Sequence, residues 1–309
     1  MARGIRQLVI TALALAACAP EPSPLRLGVL VWPPYELAYL AAHRGLIDPR
    51  RIELVDYQTP AEIARAFRYG LIDACFLTTQ FVLAEQSALA RSRIVYVVDR
   101  STGGDALLAR PEIGSPADLA GHRIAVEAGP LGGYMLQRAL DFGGLTRDDA
   151  ELVFVDTPDH VAAYRDGIAD AVVTYEPHRT RLLQEGAVEL FSSRQIPGEI
   201  VDVLFVRSQE LGSQKAALQE LVRGLVRARE SFLAAPHPAL EAMTAREGLS
   251  VEELQRAFEG VELVSLEENR RLLGGAKPGL LPLLERQAEV MGEQDCAMGG
   301  NLRRPIARS

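Results

Sequence analysis

The sequence predicts an α/β protein with mainly parallel sheets, divided into two lobes of similar construction. Two observations support this prediction. Short apolar runs alternate with amphipathic stretches from residue 25 to residue 206, which is typical of strands that alternate with helices. In addition, one twelve-residue pattern built around a glycine occurs twice, at residues 67–78 and 164–175.

The apolar runs predict strands over residues 26–31, 53–57, 74–77, 94–98, 106–109, 123–127, 151–155, 171–174 and 201–206. Helices are predicted to begin near Pro34, Pro60, Thr79, Ser115, Gly132, Pro158, Glu176 and Gln209. In "SPADL", Ser115 is suited to cap a helix and Pro116 to occupy its first position. After Gln209 the pattern is almost wholly helical through Gly292.

The repeated segment reads "FRYGLIDACFLT" in its first copy and "YRDGIADAVVTY" in its second, and the two align without gaps. Each copy predicts the end of a helix, a left-handed glycine, a short turn and a buried strand. We expect Asp73 and Asp170, which lie in the turn, to hydrogen-bond loop backbone. The copies predict one lobe over residues 25–104 and another over 105–202. The alternative is a coincidence, because βα units in general share similar sequence patterns.

Composition and charge limit the class of protein. The chain has 309 residues, of which 48% are hydrophobic, so it is long enough for two lobes with cores of their own. Its formal net charge of −8 argues against a general nucleic-acid-binding surface. Beyond the N-terminus no segment approaches the roughly 18 uninterrupted apolar residues of a membrane-spanning helix.

The N-terminus has the pattern of a secretion signal. Arg3 and Arg6 precede an apolar run over residues 8–17, which has the length of a signal-peptide core. The run ends in "LAAC" at Cys18, followed by a proline-rich spacer, and resembles the lipobox of bacterial lipoproteins. We therefore expect a signal peptide over residues 1–18, a lipidated Cys18 and a linker over residues 19–24. Ordinary cleavage near Ala19 is the alternative, and either route places the mature chain outside the cytoplasm.

Two further cysteines, Cys75 and Cys296, remain in the mature chain. Cys75 lies in an apolar run, which is typical of a small core residue. A disulfide between the two is permitted in this compartment, but the sequence does not decide it. The cysteines and the five scattered histidines show no metal-ligand spacing, so we predict no metal and no cofactor.

Chemistry-bearing residues collect after the predicted strands, where ligands bind in open α/β sheets. Aromatic residues, hydroxyls, glycines and acids share these positions, and they suit a small ligand with a flat or apolar body and polar ends. Each also has a purely structural interpretation: Thr78 and Thr79 would cap the next helix, and Glu176 would favour a helix N-terminus. The sequence contains no Gly-x-Ser-x-Gly elbow, and the closeness of Glu176 and His178 does not define an acid–base pair.

Several segments together resemble the sulfonate/nitrate/thiamine-precursor (SsuA/TauA-like) group of solute-binding proteins of bacterial ABC importers. They are "VWPPYELAYLAAHRGLID", "YGLIDACFLTT", "GGDALLAR", "IGSPADLAGHRIAVEAGPLGGYML", "LTRDDAELVFVD", "GIADAVVTYEP" and "VDVLFV". The resemblance covers nearly all of residues 25–290. It implies a type II periplasmic-binding fold that closes by hinge motion, with hinge strands near residues 104–108 and 200–204. It also implies that residues 25–104 and 203–309 form the first lobe and residues 105–202 the second.

By motif position the resemblance implies that the ligand lies in the cleft between the lobes. The implied lining residues are Trp32, Tyr35, Thr78, Thr79, Gln80, Gly103, Gly104, Asp105, Gly132, Gly133, Tyr134, Tyr175, Glu176 and Asp202. Pro34 departs from the family, in which a small residue often stands there, and it removes a backbone donor that could hold an anion. Acids facing the cleft would disfavour a sulfonate and suit an amine or a nitrogen heterocycle.

We therefore predict an extracytoplasmic solute-binding protein, held at the periplasmic or cell-surface side of a membrane by Cys18. As a monomer it would capture a small polar or heteroaromatic solute and deliver it to an ABC permease in the inner membrane, with no nucleic-acid partner and no catalysis. A ligand sensor for a membrane receptor is the alternative with the same fold. A thiamine-pyrimidine synthase-like enzyme is less well supported, because the cysteine-rich motif of that branch has no counterpart in this sequence.

Overall fold

The computed structural model describes residues 23–84 and 91–297. The predicted signal peptide and Cys18 lie outside these residues. The strands of the described part are β1 (Leu25–Val29), β2 (Ile52–Asp56), β3 (Ala74–Thr78), β4 (Ser92–Ser101), β5 (Asp105–Ala109), β6 (Arg123–Val126), β7 (Glu151–Phe154), β8 (Ala171–Tyr175), β9 (Val188–Ser192), β10 (Val201–Arg207) and β11 (Val261–Leu263). They form a six-stranded sheet in the order β11-β4-β10-β3-β1-β2 and a five-stranded sheet in the order β7-β6-β8-β5-β9.

The described helices alternate with the strands up to β10 and then follow one another almost without interruption. They are α1 (Glu36–His43), α2 (Pro60–Arg68), α3 (Thr79–Ala84), α4 (Pro130–Gly143), α5 (His160–Arg165), α6 (His178–Gln184), α7 (Glu210–Ser213), α8 (Lys215–Ala234), α9 (Pro236–Glu247), α10 (Val251–Glu259), α11 (Leu266–Leu273) and α12 (Leu281–Ala297). Helices α8 and α9 pack on α1, and α11 packs on β4. We call the six-stranded sheet with these helices the first lobe, and the five-stranded sheet with α4, α5 and α6 the second lobe.

Both sheets are mixed, which corrects the prediction of mainly parallel sheets. β1 runs parallel to β2 and β3, and β6 runs parallel to β7 and β8. In contrast, β10 is antiparallel to β3 and β4, and β5 is antiparallel to β8 and β9. β5 and β10 are the strands that each follow a crossing from the other sheet. Their direction depends on that crossing, which the local pattern of apolar residues does not reveal.

The chain crosses between the sheets at residues 102–104 and 193–200. These segments replace the predicted hinge strands, because β5 and β10 each lie wholly within one sheet. Val201 and Asp202, which the predicted boundary placed in the second lobe, belong to β10 of the first sheet. The crossings are tied together by Ser193: its Oγ lies 2.7 Å from Ser101 Oγ and accepts a 2.7 Å hydrogen bond from the Gly103 amide.

Three local features differ from the sequence prediction. Neither β9 nor the three-residue β11 was predicted; β11 is too short to show a clear alternation. The "SPADL" segment forms a short 3-10 turn over Pro116–Leu119, with Pro116 at its first position as expected. Ser115 does not cap a backbone amide there; its hydroxyl donates to Asp118 Oδ2 at 2.7 Å.

The two copies of the repeat form the same local structure. Gly70 and Gly167 adopt φ of 75° and 69°, and the strands that follow them, β3 and β8, run parallel to β1 and β6. Asp73 accepts hydrogen bonds from the backbone amide of Arg26 at 2.9 Å and from its guanidinium at 2.8 and 2.9 Å. Asp170 accepts the equivalent bonds from Arg123. The expected backbone bonds therefore exist, but they reach a neighbouring strand and not the turn itself.

The main hydrophobic core is continuous across both lobes. It contains the buried faces of β1 and β3 in the first lobe and residues such as Leu107 and Phe191 in the second. A smaller cluster, which includes Leu108, Val172 and Leu182, covers the other face of the second sheet. Helix α12 contacts both α3 and α4, so the lobes also meet through the C-terminal helix. The described conformation is therefore a closed one.

The paired Arg–Asp contacts predict equal stability losses in the two lobes. Asp73→Ala and Asp170→Ala should each lower the free energy of unfolding by about 1–3 kcal/mol, because each leaves an arginine and a backbone amide without their shared acceptor. Asp148→Ala, in an exposed turn, is the matched control and should change stability by less than about 0.5 kcal/mol. Urea denaturation measures all three. Two unequal losses, one of them near zero, would show that the copies are not structurally equivalent.

Candidate functional site

A narrow cavity lies between the lobes, where strands from both sheets end. Six of the sequence-predicted residues line it: Trp32, Tyr35, Thr78, Asp105, Tyr175 and Asp202. The rest of the lining consists of Leu30, Pro60, Leu77, Phe81 and Leu131. The cavity therefore combines apolar and aromatic walls with two carboxyl groups, and both lobes contribute to it.

Trp32 forms an aromatic wall on the first-lobe side. It follows β1, and Pro33 and Pro34 continue the chain as a 3-10 turn that leads into α1. Its indole contacts the ring of Tyr175 edge-on, with centroids 6.1 Å apart, and its Nε1 donates to Asp99 Oδ2 at 3.4 Å. Only 4% of Trp32 is exposed, and a Cβ on Gly104 would lie 2.6 Å from its Cη2. Glycine at position 104 is thus what admits the indole.

Tyr35 is held between a ring and a carboxylate. Its ring stacks on Phe76 at 4.8 Å between centroids, and its hydroxyl donates to Asp202 Oδ1. Burial, together with the neighbouring acids, raises the pKa of the phenol well above its usual range, so the hydroxyl stays protonated. Tyr35 therefore acts as a fixed donor to Asp202.

Asp99 and Asp202 form a buried acid pair. They face each other across the antiparallel strands β4 and β10, and their side chains share a hydrogen bond. Burial and the charge of Asp202 raise the pKa of Asp99 well above its ordinary value. Burial also raises the pKa of Asp202, to about 6, against the opposing hydrogen bonds from Tyr35 and Asp99. The pair therefore retains a proton, which Asp99 holds and donates to Asp202.

Two further acids stand on the second-lobe side. Burial raises the pKa of Asp105 to about 8, and the nearby carboxylates Asp202 and Glu127 add to this effect. Burial likewise raises the pKa of Glu127 to about 7, although its side chain accepts hydrogen bonds from Thr157 Oγ1 at 2.9 Å and from the Gly132 amide. A Cβ on Gly132 would lie 2.8 Å from Glu127 Cγ, so the glycine permits this close approach.

The remaining predicted residues have structural partners near the cavity. The Gln80 amide donates to the Glu199 carbonyl at 2.9 Å, and the Tyr134 hydroxyl donates to the Glu199 carboxylate at 2.7 Å. Glu176 is fully buried and accepts from Arg179 and from the Thr180 amide. The Thr79 hydroxyl contacts the Gln80 side chain, and the Gly103 amide donates to Ser193 Oγ. Gly133 lies in the first turn of α4, where its carbonyl accepts a hydrogen bond from Arg147. None of these is among the cavity-lining residues, and their role in ligand binding stays a prediction.

Sequence reasoning did not select Asp99, Glu127, Phe81 and Leu131. Asp99 and Glu127 lie at the carboxyl ends of predicted strands, which is the signal that could have identified them. Phe81 and Leu131 lie within the first turns of α3 and α4, on opposite lobes. Their position in the cavity depends on how the lobes face each other, so no local pattern marks them.

Other chemistry-bearing groups of the described residues lie outside the cavity. Cys75 is a free, buried thiol in β3, and Cys296 lies outside the side chains that the structure describes. Within residues 23–84 and 91–297 no group of three or more His, Cys, Asp or Glu residues is arranged to hold a metal ion. In the same residues no helix has the length and apolar character required to cross a membrane.

The two-lobed fold is that of periplasmic solute-binding proteins. The alkanesulfonate-binding protein SsuA from Xanthomonas axonopodis pv. citri, solved with bound MOPS, superposes with a TM-score of 0.72 at 20% identity, over 90% of this chain and 94% of that one. SsuA from Escherichia coli gives a TM-score of 0.70 at 19% identity, over 89% of each chain. The desulfurization enzyme DSZB has the same fold, with a TM-score of 0.65 at 20% identity, over 92% of this chain and 94% of that one.

The chain belongs to the NMT1-like family, whose model matches residues 18–245. It is 24% identical over 183 residues to the taurine-binding periplasmic protein of Escherichia coli (strain K12), which is 58% of this chain and 57% of that protein. A second protein of that strain, named for binding aliphatic sulfonates, is 26% identical over 157 residues, 49% of each chain. The chain thus spans about half the length of the curated relatives it matches.

The buried acids predict that the ligand-free protein loses stability as pH rises from about 6.5 to 8.5. Asp99, Asp105 and Glu127 have raised folded-state pKa values, so the folded state binds protons that the unfolded state has already released, and stability falls with pH. His160 and His178, whose pKa values burial lowers to about 4 and about 3, act in the opposite sense only below about pH 6.5.

Differential scanning fluorimetry across this range measures the effect, and Asp105→Asn should reduce the slope. Asp148→Asn, an exposed position, should leave it unchanged. A melting temperature that is constant or rises over the range would contradict the prediction.

Proposed function

We propose that the chain is an extracytoplasmic solute-binding protein that captures a small polar or heteroaromatic solute and delivers it to an ABC import permease. The observation that carries this proposal is the cavity itself: aromatic rings and carboxyl groups from both lobes line one narrow space between the lobes. Such concave, largely apolar sites with a few polar groups are typical of small-molecule binding. The names of the relatives that bind taurine and alkanesulfonates support the same general role.

A ligand in this cavity would act as a bridge between the lobes. Trp32 and Asp202 belong to the first lobe, while Asp105 and Tyr175 belong to the second. The chain crosses between the lobes at residues 102–104 and 193–200, and α12 contacts both lobes. Ligand contacts with both lobes would favour the closed arrangement over an open one, which is how a permease would distinguish loaded from empty protein.

Binding without catalysis fits the described residues better than an enzymatic role, even though the fold is shared with the enzyme DSZB. Cys75 does not line the cavity, and burial raises the pKa of its thiol far above the ordinary value, so the reactive thiolate is disfavoured. Ligand sensing for a membrane receptor would use the same cavity. A neighbouring gene for a histidine kinase would favour that role, whereas neighbouring permease and ATPase genes would favour import.

Membrane attachment through Cys18 is part of the proposal, supported by the lipobox-like sequence at residues 15–18. In this form the mature protein would begin at a lipidated Cys18 and be held at the membrane surface as a monomer. Residues 19–24 would separate the anchor from β1.

Trp32→Ala should abolish saturable ligand binding, because the indole covers the cavity and contacts the opposite lobe through Tyr175. It should also lower the melting temperature of the ligand-free protein, since only 4% of Trp32 is exposed and its removal leaves a void in the core. Binding is first detected by a thermal-shift panel of sulfonates, amines, pyrimidines and flavin-like compounds. Trp32 is the sole tryptophan of the chain, so the emission of the wild-type protein reports directly on the cavity.

Tyr69→Ala, an exposed aromatic position, is the control and should leave binding unchanged. Intact binding by Trp32→Ala, with the loss of stability alone, would instead make Trp32 a core residue without a part in binding.

Cys18→Ser should release the protein from the membrane fraction into the soluble fraction, because the serine hydroxyl cannot take the place of the lipidated thiol. Fractionation followed by immunoblotting measures this in cells that process lipoproteins. Cys75→Ser, which leaves the lipobox intact, is the control. A membrane fraction that is unchanged by Cys18→Ser would disprove the anchor.

A further inference from the structure

We propose that the solute is a small planar or alkylated cation, and not a sulfonate or another anion. This inference rests on the proposed solute-binding function and concerns the charge of the ligand. The relatives named above are described as binding taurine and alkanesulfonates, whereas the cavity of this chain is arranged for the opposite charge.

The first argument is the charge of the cavity wall. Asp105 and Asp202 line the cavity, and Asp99 lies directly behind Asp202. No arginine, lysine or histidine is among the described residues that line it. An anion in this space would be buried beside carboxyl groups without a counter-ion, which is strongly unfavourable in a site of low polarity. A cation there would favour the ionised forms of Asp105 and Asp202 and would pair with both carboxylates.

The second argument is that the nearby cationic side chains are already engaged. Arg179 binds Glu176 at 3.0 Å and Glu189 at 2.6 Å. Arg138, in α4, binds Glu199 of the second crossing at 3.0 Å. Moving either arginine to an anionic ligand would leave a mostly buried carboxylate without its partner, at a cost of several kcal/mol.

The third argument is that the helix starts around the cavity are poor anion sites. The N-terminus of α4 faces the carboxylate of Glu127, which already accepts from the Gly132 amide. The turn after β1 begins with Pro33 and Pro34, which have no backbone N–H to donate. At α4 the Glu127 carboxylate already takes the place of an anion, and at the turn after β1 the backbone donors that an anion would need are missing.

The fourth argument is the set of buried polar atoms without a partner. Beside the cavity these include Thr78 Oγ1, and Thr78 lines the cavity. A buried hydroxyl oxygen without a partner is costly, and an N–H donor on a ligand would satisfy it.

The fifth argument concerns the body of the ligand. The walls between the acids are Trp32, Tyr35, Tyr175 and Phe81, with aliphatic side chains beside them. Aromatic faces attract cations, and tryptophan does so most strongly. Aromatic walls with acids among them thus suit a protonated nitrogen heterocycle, an amidine or an alkylammonium group. An entirely apolar solute would leave the acids unpaired.

The decisive experiment compares three probes of similar shape: benzamidine, which is a planar cation, benzamide, which is neutral, and benzenesulfonate, which is an anion. Affinities are measured by titration of Trp32 emission and by calorimetry with the mature protein. We expect benzamidine to bind at least tenfold more tightly than benzamide, and benzenesulfonate to show no saturable binding at millimolar concentration. Asp105→Asn and Asp202→Asn should each reduce the preference for benzamidine over benzamide at least tenfold. Asp148→Asn should leave the preference unchanged.

Calorimetry at pH 7 in phosphate and in Tris gives a second readout. Binding of benzamidine should release protons, because a cation favours the ionised form of the cavity acids. Equal apparent enthalpies in the two buffers, whose own heats of ionisation differ, would mean that binding releases no protons and would count against the inference.

The outcomes separate the charge inference from the proposed function. Saturable binding of benzenesulfonate that Trp32→Ala abolishes, without binding of benzamidine, would overturn the charge inference and uphold solute binding. Binding of neither benzamidine nor benzamide, with binding of an anionic member of the thermal-shift panel, would have the same meaning. If no probe and no member of the panel binds, both the inference and the proposed function are wrong.

Discussion

Asp99 and Asp202 face each other on the two strands through which the chain leaves the first lobe and returns to it. Because β4 and β10 are antiparallel neighbours, their ends at the cleft lie side by side, and the topology itself brings the two acids together. A pair of like charges opposite each other in a sheet is unfavourable unless a proton or a donor intervenes. Here Asp99 retains a proton, Tyr35 donates to Asp202, and Trp32 donates to Asp99.

The turn after β1 depends on the same constraint. Pro33 and Pro34 fix the geometry that places one donor, Trp32 Nε1, beside Asp99 and another, Tyr35 Oη, beside Asp202. Position 104 must then be glycine, because the indole occupies the space that a Cβ would need. The aromatic wall, the acids and the first crossing thus form one connected arrangement. Since the fold is shared with a sulfonate-binding protein and with an enzyme, the fold by itself does not decide the ligand.

Much of this was predictable because it is local. The repeated Gly-x-x-Asp-Ala pattern predicted equivalent turns, and the structure shows equivalent Arg26–Asp73 and Arg123–Asp170 pairs. The rule that ligands lie beyond strand ends selected five of the predicted residues that line the cavity, and the family resemblance added Asp202. The rule also selected Gln80 and Tyr134, whose side chains meet at Glu199 in the second crossing. A position after a strand is therefore neither required of a cavity-lining residue nor sufficient for one, since Phe81 and Leu131 lie in helices and a strand end does not fix where a side chain points.

The sequence by itself determined the order of the elements, the duplicated turn, the acidic character of the chain and the position of Trp32 after the first strand. These features depend on residues close together in the chain, where periodicity and turn chemistry act directly. Only the tertiary structure decided that the sheets are mixed, that Asp99 and Asp202 are partners, and that Phe81 and Leu131 line the same cavity from opposite lobes. Those relations join residues far apart in sequence. They follow from two crossings between sheets whose direction no local pattern encodes.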